Sequence, residues 1–207
     1  ATRSPSDILK QAMTAEQLTE LLEQVRTGKV DVPAALQRMR HLPFEDLGFA
    51  KVDHHRALRH GMSEVIFAQG KTPEQVVSIA THLLKGVKNV LITRADPLTA
   101  ALVKRKIRKA EYFPLSRAVR IWGDRTIHGK GKIAVVCAGT SDIPVAEEAR
   151  VTAEVMGNEV VSIHDIGVAG IHRLMSNRER LMEARVVVVA AGMEGALPSV
   201  VGGLVSC

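Results

Sequence analysis

Two periodicities alternate along this chain. Between residues 6 and 27, Ile8, Ala12, Leu18, Leu21, Leu22 and Val25 recur at roughly helical spacing, and Gly28 can end the run. Asp31 before Val32-Pro33 starts a second helix that runs to about His41. Leu42 to Phe49 and Asp53 to Arg56 read as extended or irregular segments. From Ser63 the pattern changes. Ser63–Phe67, Val90–Thr93 and Ala118–Trp122 have strand character. Thr72-Pro73-Glu74 supplies an N-cap, a first-turn proline and a first-turn acid for a helix reaching about Gly86, and Pro97 to Lys109 forms another. Strand, helix, strand, helix, strand implies a small parallel sheet with crossover helices.

Gly123 to Gly131 is polar and glycine-rich, and it marks a domain boundary. Residues 1–125 are then a small α/β domain with leading helices, and 126–207 a second domain in which the alternation restarts. Its strands are expected near 133–137, 159–163 and 186–190, and its helices near 143–156 and 170–183. Val186 to Val189 is a continuous β-branched run, as in a strand buried on both faces. Ala146, Ala149, Ala153 and Met156 share one helix face, where small side chains allow close packing on a sheet. The class is α/β, with a doubly wound, flavodoxin-like parallel sheet in the second domain. Three strands make such a sheet thin, and the last residues carry no terminating cap. The expectation is a C-terminally truncated chain, or a fold that partner chains complete.

Composition narrows the class of protein. Only 3% of the 207 residues are aromatic, so the core is aliphatic. No apolar run approaches the roughly 20 residues that span a bilayer, and the polar start lacks a signal core. Cys137 and Cys207 do not suggest a disulfide framework. These features point to the cytoplasm. The net charge of +6 is uneven: 21 basic and 13 acidic residues precede Thr126, against 7 and 9 after Arg125. Lys104, Arg105, Lys106, Arg108 and Lys109 form the densest cluster, which reads first as a solvated helix face. Scarce aromatics argue against nucleic-acid binding by base stacking.

The chemistry gathers in the second domain. In a parallel sheet, ligands bind beyond the carboxyl ends of the strands. Three loops lie there: Gly139-Thr140-Ser141-Asp142, His164-Asp165-Ile166-Gly167, and Gly192-Met193-Glu194-Gly195-Ala196-Leu197-Pro198. The first follows an apolar strand and opens a helix, the arrangement that cradles anions. Thr140 and Ser141 can donate to a phosphate or simply cap the helix. Asp142 reads as an N-cap, a ribose-hydroxyl acceptor or an acid/base. Glu194 sits between glycine-bearing positions, as a reactive carboxylate or a solvated loop residue. His164 and Asp165 offer an acid/base pair, although neighbours on a strand point to opposite faces. Arg173, beside His172, can clamp a phosphate or carboxylate. Asp53, His54, His55, Arg56, Arg59 and His60 form a second polar cluster, better suited to a loop or interface than to a metal. Cys137 reads as an inert buried thiol, and nothing activates Cys207.

Together these residues resemble a known family. Ser141-Asp142-Ile143-Pro144, the strand ending in Ser162-Ile163-His164, and Leu197-Pro198 are similar to the loops of the aminoimidazole ribonucleotide carboxylase superfamily. Asp165 and Ala196 stand where the purine enzyme has Arg and His. The wider match is to the LarB family of nickel-pincer cofactor biosynthesis, the pyridinium biscarboxylic acid mononucleotide synthases. Its blocks are Leu42 to Ala50, Asp53 to Arg56, Gly139 to Ala149, Gly167 to Arg173 and Gly192 to Leu197.

The resemblance implies carboxylation of the pyridinium ring of nicotinic acid adenine dinucleotide by carbon dioxide, with phosphoanhydride hydrolysis releasing AMP. It implies a cysteine thiolate that makes the ring nucleophilic, on a segment that Cys207 does not match, so that these 207 residues are expected to bind without turnover. It assigns Asp142, Glu194 and His172 as catalytic, and Gly139, Thr140, Ser141, Asp165, Gly167, Arg173, Gly192, Met193, Gly195 and Leu197 as substrate-binding. It gives no metal ligands and leaves open a magnesium ion at the phosphoanhydride. It also implies a homo-oligomer, octameric in the related superfamily. The alternatives are purine carboxylation and a non-enzymatic nucleotide-binding protein.

Overall fold

A computed structural model describes residues 15–39, 45–53, 56 and 63–207. The chain divides into two compact units, Ala1–Glu64 and Val65–Cys207. In the first, α1 (Ala15–Arg26) and α2 (Val32–Met39) are followed by a short antiparallel pair, β1 (Glu45–Asp46) and β2 (Lys51–Val52). Asp31 starts α2 through a bond from the Ala34 amide to its carboxylate, 2.7 Å. His54, His55, Arg59 and His60 lie outside the described residues, as does the predicted start of the first helix.

The second unit holds two sheets, and the turn-rich segment from Gly123 to Gly131 runs between them. Its elements are β3 (Ile66–Phe67), α3 (Pro73–Leu83), β4 (Asn89–Thr93), α4 (Pro97–Lys106), β5 (Ala110–Phe113), β6 (Ala118–Trp122), β7 (Lys132–Cys137), α5 (Ile143–Val155), β8 (Glu159–Ile163), α6 (Ile171–Ser176), α7 (Arg178–Met182), β9 (Ala184–Ala190) and α8 (Ala196–Leu204). Thr72 closes a capping box with Gln75 at the head of α3, and Asp96 caps α4 through the Thr99 amide, as the start signals predict.

The first sheet has the order β3-β4-β6-β5, and it corrects the expectation of an all-parallel sheet. Only β3 and β4 run parallel; β4 pairs antiparallel with β6, and β6 with β5. The cause is a hairpin. The predicted helix from Pro97 ends at Lys106, and Ala110–Phe113 forms a strand that turns through Pro114 to Arg117 into β6. A strand entered through a tight hairpin must run back along its partner.

The second sheet is wholly parallel, in the order β8-β7-β9, as the doubly wound reading predicts. Helix α5 covers one face, packing Ala146 on Val135 and Cys137. On the other face α6, α7 and α8 bring Leu174, Leu181, Leu197 and Val201 against Ala134, Val136 and Ile163. The helix expected at 170–183 is broken at Asn177. The chain from Ala196 also folds as a helix, which the glycine-rich sequence there does not announce. Of the four valines in β9, Val186 and Val188 are exposed on the α5 side, where α5 covers this strand only toward Ala190.

Helix α5 belongs to both sheets. Its Val151 and Val155 join Leu91 of β4 and Ala118 of β6 in a second apolar cluster, with Phe113 packed alongside. A charge network closes this contact. Arg120 of β6, whose side chain is only 9% exposed, bonds Glu154 of α5 at 2.5 Å and Glu111 of β5 at 2.6 Å. Its guanidinium lies between the Phe113 and Trp122 rings, 4.7 and 4.1 Å from their centroids. Arg150, one turn before Glu154, bonds that carboxylate and holds both oxygens of Glu147.

The Arg150 guanidinium, with smaller help from His164 and Arg120, keeps the Glu147 carboxyl below the usual glutamate range despite its burial. A carboxylate more acidic in the folded than in the unfolded state stabilises the fold above its unfolded pKa. That contribution is lost as pH falls through the lower, folded value. Urea unfolding midpoints are therefore expected to fall on acidification from roughly pH 5 to 3, and the Glu147→Gln variant to show a shallower fall.

Candidate functional site at the carboxyl ends of the parallel strands

Strands β7, β8 and β9 all deliver their carboxyl ends to one edge of the second sheet, because all three run parallel. The three loops identified in the sequence therefore meet there. Backbone bonds join them at the base. The Ala138 amide donates to Ala190 O (3.0 Å), Ile166 to Cys137 O (3.1 Å) and Gly167 to Ala138 O (2.8 Å). A Cβ on Gly167 would lie 2.9 Å from Ala138 O, so the glycine is what permits this approach.

Asp142 ties the first loop to the third. One carboxylate oxygen accepts from the Gly139 amide and the other from the Gly192 amide, each at 3.0 Å. The carboxylate makes no capping bond to α5. Its place is between the loops, a role absent from the sequence readings of Asp142 as an N-cap, a ribose-hydroxyl acceptor or an acid/base. A Cβ on Gly192 would stand 3.1 Å from the same carboxylate, so this loop needs its glycine to come so near.

The remaining residues line this edge. Thr140 and Ser141 form a single 3-10 turn, exposed, and among the described residues their hydroxyls have no partner. Asp165 sits in the left-handed region at φ +59° and turns away from the β8 direction. Instead of pairing with His164, its carboxylate meets the Arg173 guanidinium at 2.6 Å. Sequence reading missed this pair, since the partners sit on different elements. Arg173 lies across Gly170, where a Cβ would come within 2.6 Å of its Nε. Met193 is also left-handed, at φ +46°, and fully exposed; Glu194, His164 and His172 are exposed as well. Gly195 adopts φ +64° and its amide closes the turn onto Gly192 O at 2.9 Å. The Leu197 side chain, expected at the substrate, is 1% exposed and packs in the core beneath α8.

Neither cysteine is placed as a nucleophile here. Cys137 ends β7 directly beneath the loops but is wholly buried, and burial, with the Asp142 and Asp165 charges, pushes its thiol up. Cys207 lies by Lys130, Ala184 and Arg185, at the amino ends of β7 and β9, so the sheet separates it from the loops. Among the described residues no three His, Cys, Asp or Glu side chains gather as a metal site requires. No helix among them is long and apolar enough to cross a membrane.

Comparison with known proteins places the chain in a family. A model of the LarB/PurE-like N-terminal domain matches residues 44–124, which end with the mixed sheet. An uncharacterized protein of Methanocaldococcus jannaschii is 32% identical over 197 residues, covering 91% of this chain and 77% of the relative. This chain belongs to the LarB/PurE-like family. Membership in the LarB/PurE-like family supports a relationship to carboxylases, and the doubly wound sheet fits a PurE-type fold.

The bridging role of Asp142 has a direct test. Replacing it with Ala leaves the Gly139 and Gly192 amides without their acceptor, a loss of about 1–3 kcal/mol. The same amides are expected to exchange faster with deuterium, while amides of α3 and β4 keep their rates.

Proposed function

We propose that the chain binds nicotinic acid adenine dinucleotide at the three loops and serves its carboxylation, with hydrolysis of the phosphoanhydride to release AMP. The observation that carries this reading is the gathering of Gly139–Asp142, Asp165–Gly167 and Gly192–Gly195 at one sheet edge in a LarB/PurE-like chain. Hydroxyls of Thr140 and Ser141 suit a phosphate. The Arg173–Asp165 pair offers a cation for the phosphoanhydride and an acceptor for a ribose hydroxyl.

The reaction needs a nucleophile. A thiolate adds to the electron-poor pyridinium ring and leaves an enamine. The enamine carbon forms a bond to carbon dioxide; the ring then loses the proton at that carbon and expels the thiolate, which restores the pyridinium. In hydrolysis, water attacks one phosphorus and AMP departs. Cys137 is buried and Cys207 is at the opposite ends of the strands from the loops, so neither is placed to supply that thiolate within its own chain. Loops this exposed in one chain also suit a homo-oligomer in which subunits close the site.

Thermal denaturation with nicotinic acid adenine dinucleotide, aminoimidazole ribonucleotide and single-stranded RNA tests the ligand. The dinucleotide is expected to stabilise by about 2.7 kcal/mol at a hundredfold excess over its Kd, and the other two not at all. Protection by aminoimidazole ribonucleotide alone would move the assignment to purine carboxylation. Incorporation of labelled carbon dioxide is expected to be absent in these 207 residues alone; turnover that survives in a Cys137→Ala, Cys207→Ala double variant would remove the thiolate from the scheme.

A further inference from the structure

The charge network between the sheets runs toward the loops as well as across the core. Arg120 of β6 holds Glu154 near the tail of α5; Arg150 spans from Glu154 to Glu147; and Glu147 lies in the first turns of α5, just after the Thr140–Asp142 turn. The ladder therefore alternates positive and negative from the mixed sheet to the edge of the site. Each rung is rigid. The Arg120 guanidinium is fixed between two aromatic rings, and Arg150 takes both oxygens of Glu147 in a forked contact. The head of α5 follows directly on Asp142, whose carboxylate joins the first and third loops. A shift of α5 along its axis would move that carboxylate away from the Gly192 amide.

We propose that Arg120 is a positioning residue of the loop site: by anchoring α5 through Glu154, Arg150 and Glu147, it keeps Asp142 in place to bridge Gly139 and Gly192. The mixed sheet thus sets the geometry of a site to which it contributes no ligand-binding side chain. The part of this inference that concerns affinity rests on the dinucleotide reading above; the part that concerns the loops does not.

Hydrogen–deuterium exchange separates the two. Three variants are compared with the parent chain: Arg120→Met, the Arg120→Met/Glu154→Met pair, which removes both charges together, and Val151→Ala, which loosens the same helix contact without touching the ladder. Near-ultraviolet circular dichroism selects conditions in which each is folded. Exchange at the Gly139 and Gly192 amides is expected to quicken at least tenfold in both Arg120 variants, with Val151→Ala near parental rates, and Arg120→Lys is expected to restore part of the protection. Equal loss of protection in Val151→Ala, or unchanged exchange in the Met/Met pair, would overturn the proposal. In parallel, the Kd for nicotinic acid adenine dinucleotide is expected to rise about tenfold in Arg120→Met and not in Val151→Ala. If the parent chain does not bind the dinucleotide, the functional reading fails while the exchange result still decides the positioning role.

Discussion

Helix α5 satisfies two sheets at once. Ala146 faces Val135 and Cys137 of the parallel sheet, while Val151 and Val155 face Leu91 and Ala118 of the mixed one. Such a helix cannot be amphipathic in the simple sense, since two of its faces are apolar and a third carries the Glu147–Arg150–Glu154 ladder. The buried Arg120 completes the arrangement. Pairs of this kind add little net stability over apolar packing, but removal of one partner strands the other charges at a cost of about 3–5 kcal/mol. Phenylalanine, tyrosine and tryptophan are scarce in this chain, and two of the few present, Phe113 and Trp122, flank the Arg120 guanidinium.

The loop site depends on the same helix from the other end. Parallel strands bring the three loops to one edge, but strand ends alone leave loops several ångströms apart. Short backbone bonds at the base and the Asp142 carboxylate above them close that distance. Glycine is required where the loops touch. At Gly167 a side chain would meet a backbone carbonyl, and at Gly192 it would press on the bridging carboxylate. Asp165, held by its ion pair with Arg173, keeps a left-handed backbone uncommon for a non-glycine residue.

Much of this was legible in the sequence. Period and cap signals located α3, α4, β7, α5, β8 and β9, and the small-residue turns after the strands marked the three loops. What escaped has physical reasons. The strand Ala110–Phe113 follows Lys104 to Lys109, a basic run that continues a helical pattern, and only four residues announce the change. The helix Ala196–Leu204 contains Pro198, Gly202 and Gly203, each a poor helix former; burial of Leu197 and Val201 outweighs them. Within the site, single residues were identified more readily than their partners. That Asp142 reaches the Gly192 amide, fifty positions on, or that Asp165 meets Arg173 across a loop, is a matter of tertiary distance that no local spacing encodes.

The shared helix also bears on how such a protein can be divided. The Gly123–Gly131 stretch has every compositional mark of a hinge, and the matching domain model stops at its start. Yet the apolar underside of the mixed sheet is roofed by a helix that the chain builds only after crossing that stretch. Recombination at this point would hand the descendant a sheet with Leu91, Ala118 and Phe113 uncovered, and a helix with valines facing nothing. The two halves are therefore heritable as a unit, and a shuffled descendant would have to acquire a replacement roof before it could persist.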